Sequence, residues 1–211
     1  DVDREQITVI PHGIDHIETE SEQSSDEDSR ILANLPSEFA LYLGNIEPRK
    51  NIVELVNAFD SSLLRNSGFP LVVAGGRAWN YERSMQAIEQ ASGTIYLGRV
   101  SNFLRAELMR RTSLFVFPSL YEGFGFPILE AMSLGAPVLS SDRGSLRDLS
   151  GPARTVGALD AESIASAVVS AIEDERWKTA IRQEGPAWAS QFTWSASAAR
   201  HADVYRRAWE S

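Results

Sequence analysis

The feature that most constrains this chain is an alternation, sustained to about residue 160, of short apolar runs with stretches of helical periodicity. The runs fall at residues 8–10, 39–43, 71–74, 95–97, 114–117 and 138–140, with a weaker one at 154–156. Most are uninterrupted by polar residues, as strands covered on both faces are. Between them Ile52, Leu55, Val56, Phe59 and Leu63 recur at the spacing of one helix face, and weaker patterns cover residues 82–91, 102–111 and 127–134. Strand then helix, repeated, predicts a Rossmann-like, doubly wound α/β fold: a parallel sheet with right-handed crossovers and helices on both faces. After residue 160 the pattern predicts helices alone, at 161–173, 177–192 and 195–209, with Gly185-Pro186 kinking or splitting the middle one. These are expected to lie on the sheet's outer face, with Trp177, Trp188, Phe192, Trp194, Tyr205 and Trp209 as packing residues.

The whole chain, 1–211, reads as a single domain made of a lead-in segment (1–17), an acidic loop (18–29), the alternating body and a helical C-terminal segment (160–211). The acidic loop holds Glu18, Glu20, Glu22, Asp26, Glu27 and Asp28 without a lysine or arginine, and is expected to stay solvated. A net charge of −9 argues against binding nucleic acid, which needs clustered cations. No apolar stretch reaches the ~18 residues of a membrane span. With no cysteine there is neither a disulfide framework nor a thiolate nucleophile, which fits a reducing compartment. Residues 1–15 lack the basic start and apolar run of an export signal, so the expected location is the cytoplasm, the complete protein being either free or peripheral to a membrane. The chain opens on Asp1 rather than methionine and reads as part of something longer. Cationic positions are filled almost wholly by arginine; Lys50 and Lys178 are the two lysines.

In an open parallel sheet, ligands bind beyond the carboxyl ends of the strands, so the loops after each run are where chemistry is sought. After 39–43 the sequence reads Gly44-Asn45-Ile46-Glu47-Pro48-Arg49-Lys50-Asn51 and enters a helix. Two cations beside a helix N-terminus suit an oxyanion such as a phosphate, although a solvated turn would carry the same residues. After 71–74, Gly75-Gly76 permits close approach to the backbone. After 114–117 comes Pro118-Ser119-Leu120-Tyr121-Glu122-Gly123-Phe124-Gly125-Phe126-Pro127, leading into a helix that carries Glu130. Two carboxylates with seven residues between them, one on a loop and one on a helix, suit vicinal sugar hydroxyls better than the facing acid pair of a glycosidase. Glu130 is then assigned to a ribose and Glu122 to a hexose, with a diphosphate between the Gly-Phe-Gly amides and Arg49 and Lys50. A nicotinamide-dependent oxidoreductase is disfavoured because Gly-x-Gly-x-x-Gly is absent after the first strand.

These residues resemble a known family. Residues 118–131, with Glu122 and Glu130 as Glu-x7-Glu, are similar to the donor-binding signature of the retaining GT-B glycosyltransferases of family 4, the glycosyl transferases group 1, and especially their mannosyltransferase-like members. Residues 11–15 resemble that family's Pro-Asn-Gly-Val-Asp stretch, 44–51 its Gly-x-x-x-Pro-Arg-Lys-Asn loop, 98–100 its nucleotide-side turn and 192–194 its late Phe-Ser-Trp. The resemblance implies the C-terminal, donor-binding half of a two-lobed enzyme that moves a hexose from a nucleotide diphosphate sugar, GDP-mannose first or a UDP-sugar, onto an acceptor hydroxyl. It further implies that Arg49 and Lys50, with Gly44, Asn45, Gly75 and Gly123 around them, hold the diphosphate. Glu130 would hold the ribose, and Glu122 with the Phe124 and Gly125 backbone the hexose, while the base stacks near Val100. No metal or other cofactor is implied, and the acceptor, a glycan or lipid-linked glycan, would be bound by an N-terminal lobe absent from these residues. This half alone would bind donor and transfer nothing. A non-catalytic nucleotide-sugar module with the same pocket is the alternative.

The sequence departs from the family at Asn45, where many members have arginine, and at Arg147-Asp148 and Gly151-Pro152, where they have Pro-Glu and Gly-Asp. His12, His16 and His201 read as bystanders, and Met85, Met109 and Met132 as packing.

Overall fold

The computed structural model describes residues 3, 6–15 and 24–210. Six strands, β1 (Ala40–Leu43), β2 (Leu71–Ala74), β3 (Thr94–Gly98), β4 (Leu114–Phe117), β5 (Val138–Ser141) and β6 (Arg154–Val156), form one sheet. Its order is β3-β2-β1-β4-β5-β6 and every pairing is parallel. Strands β1, β2, β4 and β5 are buried at every residue, which is why the first three are continuous apolar runs; β5 ends on the buried serines Ser140 and Ser141. The edge strand β3 is half-buried throughout and tolerates Thr94 and Tyr96.

The connections are α1 (Asp26–Asn34), α2 (Ile52–Asp60), α3 (Ser62–Arg65), α4 (Glu82–Gln90), α5 (Asn102–Arg111), α6 (Phe126–Ser133) and α7 (Ser145–Leu149); then follow α8 (Ala161–Glu173), α9 (Glu175–Ala189) and α10 (Trp194–Glu210). Helix α2 buries Ile52, Leu55, Val56 and Phe59. Helix α6 buries Ile128, Leu129, Ala131 and Met132, all at 0% exposure, so its axis is committed to the core. Met85, Met109 and Met132 are buried in the core, as their apolar helix faces predict. Among the described residues no helix is long and apolar enough to cross a membrane.

Several expectations need correcting. Residues 8–10 form no strand; the run is β-like in composition but Val9 is 83% exposed, and no neighbouring strand completes its hydrogen bonds. Of the acidic segment, 18–23 lie outside the described residues, while Asp26, Glu27 and Asp28 form the first turn of α1 rather than a solvated loop. Ser25 and Asp28 make a reciprocal capping box, and the buried Asp28 also accepts from the Ser101 hydroxyl at 2.9 Å. Ser101 in turn caps α5 through the Leu104 N–H, so one carboxylate ties the starts of two helices together.

Gly185-Pro186 neither splits nor ends α9, which runs unbroken to Ala189. Pro186 lies in the last turn, where it forgoes one bond to the Arg182 carbonyl, and Gly185 is buried against Met132. The C-terminal aromatics divide. The Trp188 indole donates to the Leu149 carbonyl at 2.9 Å and Trp177 lies under Arg154, but Trp194, Tyr205 and Trp209 are exposed. Of α10, Ser197 is the residue that is buried, so this helix lies off the sheet rather than on its outer face.

The helix caps set the acid limit of stability. Asp28, Asp160 and Asp174 accept backbone N–H bonds from Ser25, Ser163 and Trp177, which hold each carboxyl below its ordinary 3.8. The unfolded chain therefore binds more protons in this range, so the stability these caps supply is present above pH 3.8 and lost as the pH falls through the lowered values. Melting temperature is expected to drop more steeply below about pH 4 than in the variant Asp28→Asn/Asp160→Asn/Asp174→Asn, measured by calorimetry from pH 6 to 3.

Candidate functional site

The strand order reverses direction between β1 and β4, so the loops leaving these two strands diverge and open a crevice between them. Two of the three loops predicted to carry chemistry border it. The first leaves β1 at Gly44 and closes as a 3-10 turn over Pro48–Lys50. Proline presets the backbone of that turn and Lys50 N–H bonds the Glu47 carbonyl at 3.1 Å, which turns Arg49 and Lys50 toward the β4 loop. The second loop is joined to the first by its own backbone, the Leu120 N–H donating to the Arg49 carbonyl at 2.8 Å. From the far side Ser141 Oγ donates to the Ser119 carbonyl at 2.6 Å and Ser145 Oγ to the Glu122 carbonyl at 3.0 Å. Glu122 is thus fixed from both directions.

Its carboxylate reaches straight to the cations. Lys50 Nζ donates to Glu122 Oε1 at 2.5 Å and Arg49 Nη1 to Oε2 at 2.7 Å. Arg49 also donates to the Tyr121 carbonyl at 3.1 Å, and its Nη2 pairs with Glu47 Oε1 at 2.6 Å. Lys50 lies 4.8 Å from the centre of the Phe117 ring. Lys50, Glu47 and Glu122 are 5%, 5% and 7% exposed, while Arg49 is half-buried. Burial pulls the Lys50 ammonium below its ordinary value against the opposing hold of Glu122. Burial works on Arg49 too, but there the bond and charge of Glu122 and the charge of Glu47 prevail and raise it. Burial, and next the charge of Glu122, push the Tyr42 phenol well above its ordinary value; neutral, it donates to the Asn45 carbonyl at 3.1 Å.

The other predicted residues fall around this centre. Gly75 contacts the β1 loop: a Cβ there would stand 1.8 Å from the Gly44 carbonyl oxygen, so the glycine is what lets the first two loops touch. Gly123 faces open space, and Gly125 has φ +126° and closes against Leu146 at the start of α6. Glu130 is 5% exposed on α6 and pairs with Arg105 Nη2 of α5 at 3.1 Å. Val100 is half-buried beyond β3, and Asn45 is exposed. Asp148 is exposed on α7, and its neighbour Arg147 pairs with Asp142 instead.

Sequence reasoning missed Glu47 and Arg105. Neither had a local signal: Glu47 is one more acid in an acidic chain, and Arg105 reaches Glu130 across a fold the sequence does not spell out. The lead-in segment also reaches the site. Ile14 N–H bonds the Phe192 carbonyl at 2.9 Å, and the Trp194 N–H bonds Asp15 at 2.9 Å. His12 then sits 5.0 Å from the Phe124 ring and 5.6 Å from Phe126. His12 therefore packs against the site loop, His201 bonds the Ser197 carbonyl on α10, and His16 lies outside the described residues.

Comparison with known proteins bears on the family and the fold. An O-antigen chain mannosyltransferase B of Escherichia coli is 36% identical over 173 residues, 80% of this chain and 45% of that protein. A serotype-specific mannosyltransferase of the same species is 32% identical over 203 residues, 92% of this chain and 24% of its own length. This chain therefore spans less than half of each of these relatives. Among solved structures, the sucrose-phosphate synthase of Thermosynechococcus elongatus superposes with a TM-score of 0.75 at 24% identity, over 95% of this chain and 52% of that one, and shares the fold. The family model described as glycosyl transferases group 1 matches residues 24–188, the sheet and all but the last residue of α9 with it, and the chain belongs to that family.

Proposed function

We propose that this chain is the donor-binding lobe of a retaining hexosyltransferase that takes mannose from GDP-mannose, a UDP-sugar being the second choice. The observation that carries the reading is the meeting of Arg49 and Lys50 with Glu122 at the reversal of the sheet. Two cations there can receive a diphosphate, and the carboxylate they release can accept the hydroxyls of the hexose, so the exchange leaves neither the cations nor the carboxylate without a hydrogen-bonding partner. Mannose is favoured because the relatives at 36% and 32% identity are named mannosyltransferases.

In this reading the backbone of Gly44, Asn45, Gly75 and Gly123 borders the diphosphate, Glu130 holds the ribose, Val100 flanks the base, and Phe124 and Gly125 present backbone groups to the sugar. When the glycosidic C–O bond breaks, its electron pair goes to the diphosphate oxygen, the acceptor hydroxyl oxygen forms the new bond to the anomeric carbon, and the acceptor's proton passes to the departing diphosphate. Arg49, Lys50 and the N-terminus of α6 stabilise that charge, each fixed donor contributing on the order of 3 kcal/mol. No metal or cofactor takes part in this scheme. The acceptor, a glycan or lipid-linked glycan hydroxyl, is bound by a partner lobe outside these residues, so the chain by itself binds donor without transfer. We place the complete protein in the cytoplasm, at a membrane surface where the acceptor is lipid-linked.

A ligand that binds the folded chain raises its melting temperature. GDP and GDP-mannose are expected to do so more than UDP, UDP-glucose or free mannose. Glu130→Ala is expected to abolish the GDP-mannose shift while leaving the unliganded melt cooperative. A wild-type chain that no nucleotide diphosphate stabilises would refute the reading, and an unchanged shift in the variant would remove Glu130 from the site.

A further inference from the structure

We infer that Glu47 is a positioning residue that sets the guanidinium of Arg49 for the diphosphate; this rests on the donor-lobe reading above. Glu47 lies two residues before Arg49, in extended backbone ahead of the 3-10 turn. That break from extended to helical backbone folds its side chain back onto the turn. The carboxylate is 5% exposed and pairs with Arg49 Nη2 at 2.6 Å, while Nη1 serves Glu122 and the Tyr121 carbonyl. Arg49 is therefore held on two arms by two loops, through hydrogen bonds on Nη1 and through an ion pair on Nη2 that leaves Glu47 Oε1 without an aligned hydrogen bond.

The two grips are not equivalent. Glu122 belongs to the facing loop and, on the donor-lobe reading, turns to the hexose when the diphosphate arrives. Glu47 belongs to Arg49's own loop and is nearly closed to solvent, where a carboxylate keeps its cation because nothing else can satisfy it. Without Glu47, Arg49 would lose its orientation as Glu122 departs. A guanidinium binds phosphate through a planar fork, so orientation, and not charge alone, decides its strength. Glu47 also offsets one positive charge at a site built for anions. Charge and position thus predict opposite signs: as a mere charge Glu47 weakens diphosphate binding, and as a positioning group it strengthens it.

Calorimetry on Glu47→Ala and Glu47→Gln separates the two, with GDP, UDP, guanosine and uridine as probes. Glu47→Ala is expected to weaken the better-bound diphosphate at least tenfold and to leave its nucleoside within twofold. Glu47→Gln, whose amide oxygen still faces the guanidinium, is expected to retain at least a third of the wild-type affinity. Equal or tighter diphosphate binding by Glu47→Ala would overturn the proposal, as would equal losses for diphosphate and nucleoside or a glutamine variant as weak as the alanine one. If Arg49→Ala weakens the diphosphate but Glu47→Ala does not, the proposal fails and the donor-lobe reading stands. If the wild type binds neither diphosphate, both fall.

Discussion

Lys50→Met lowers affinity for a nucleoside diphosphate by about 10- to 100-fold and leaves the free nucleoside almost untouched. The magnitude follows from a charge-assisted hydrogen bond worth about 1.5–3 kcal/mol, with tenfold in affinity for each 1.4 kcal/mol or so. Methionine keeps the apolar stem beside Phe117 and removes the ammonium, so the loss reports the charge rather than a cavity. Stability also falls, because Glu122 is buried and loses one of its two cations. Arg49 still pairs with it, so the cost stays below the roughly 3–5 kcal/mol of a fully stranded buried charge. Titration of GDP and guanosine into both proteins, with melting curves alongside, checks both parts. Equal losses for the two ligands would show that Lys50 does not touch phosphate.

The second large effect is structural. Gly75→Ala puts a methyl group 1.8 Å from the Gly44 carbonyl oxygen, at a backbone φ of +151° that a side chain rarely adopts. Neither atom belongs to a flexible side chain that can swing away. Relief requires separating loops that are joined by Gly44 N–H to the Ala74 carbonyl at 3.0 Å and by Ile46 N–H to the Gly76 carbonyl at 2.8 Å. The expected cost is about 3 kcal/mol or more, and the melting temperature falls by roughly 6–12 °C for a chain of this size. Because the strain lies beside Arg49 and Lys50, diphosphate affinity falls with it. A variant melting within 2 °C of the wild type, on the same scale of about 2–4 °C per kcal/mol, would show that the contact relaxes cheaply.

What the sequence made legible was what local physics governs. The central strands are buried on both faces, so they appear as bare apolar runs, and α2 and α8 carry one-sided periodicity over two turns or more. The short helices α3 and α7, four and five residues long, span too little chain to show a period. Residues 8–10 mislead for the converse reason: Thr8, Val9 and Ile10 favour extended backbone, but a strand needs a neighbour. Trp194 and Trp209 mislead likewise, since aromatic composition cannot tell an inner helix face from an outer one.

In the site, the loops and the residues to watch were readable from glycines, cations and acids in strand-end positions. Their partners were not. Arg49 meets Glu122 across 73 residues and Arg105 meets Glu130 from another helix, pairings that exist only after the sheet has set its order. The pairing of the cations with Glu122, rather than a gap between them, is therefore knowledge that only the structure supplies.

The cluster of Glu47, Arg49, Lys50 and Glu122 holds two charges of each sign within bonding distance of one another. Opposite charges that close together cancel at range, so the crevice casts almost no field beyond a Debye length of about 8 Å. On a chain of net charge −9, an anion diffusing inward is met by the repulsion of the whole molecule and gains no compensating pull until it reaches the cations themselves. Selectivity in such a site is exercised at contact, after arrival, and not in the choice of which molecules arrive.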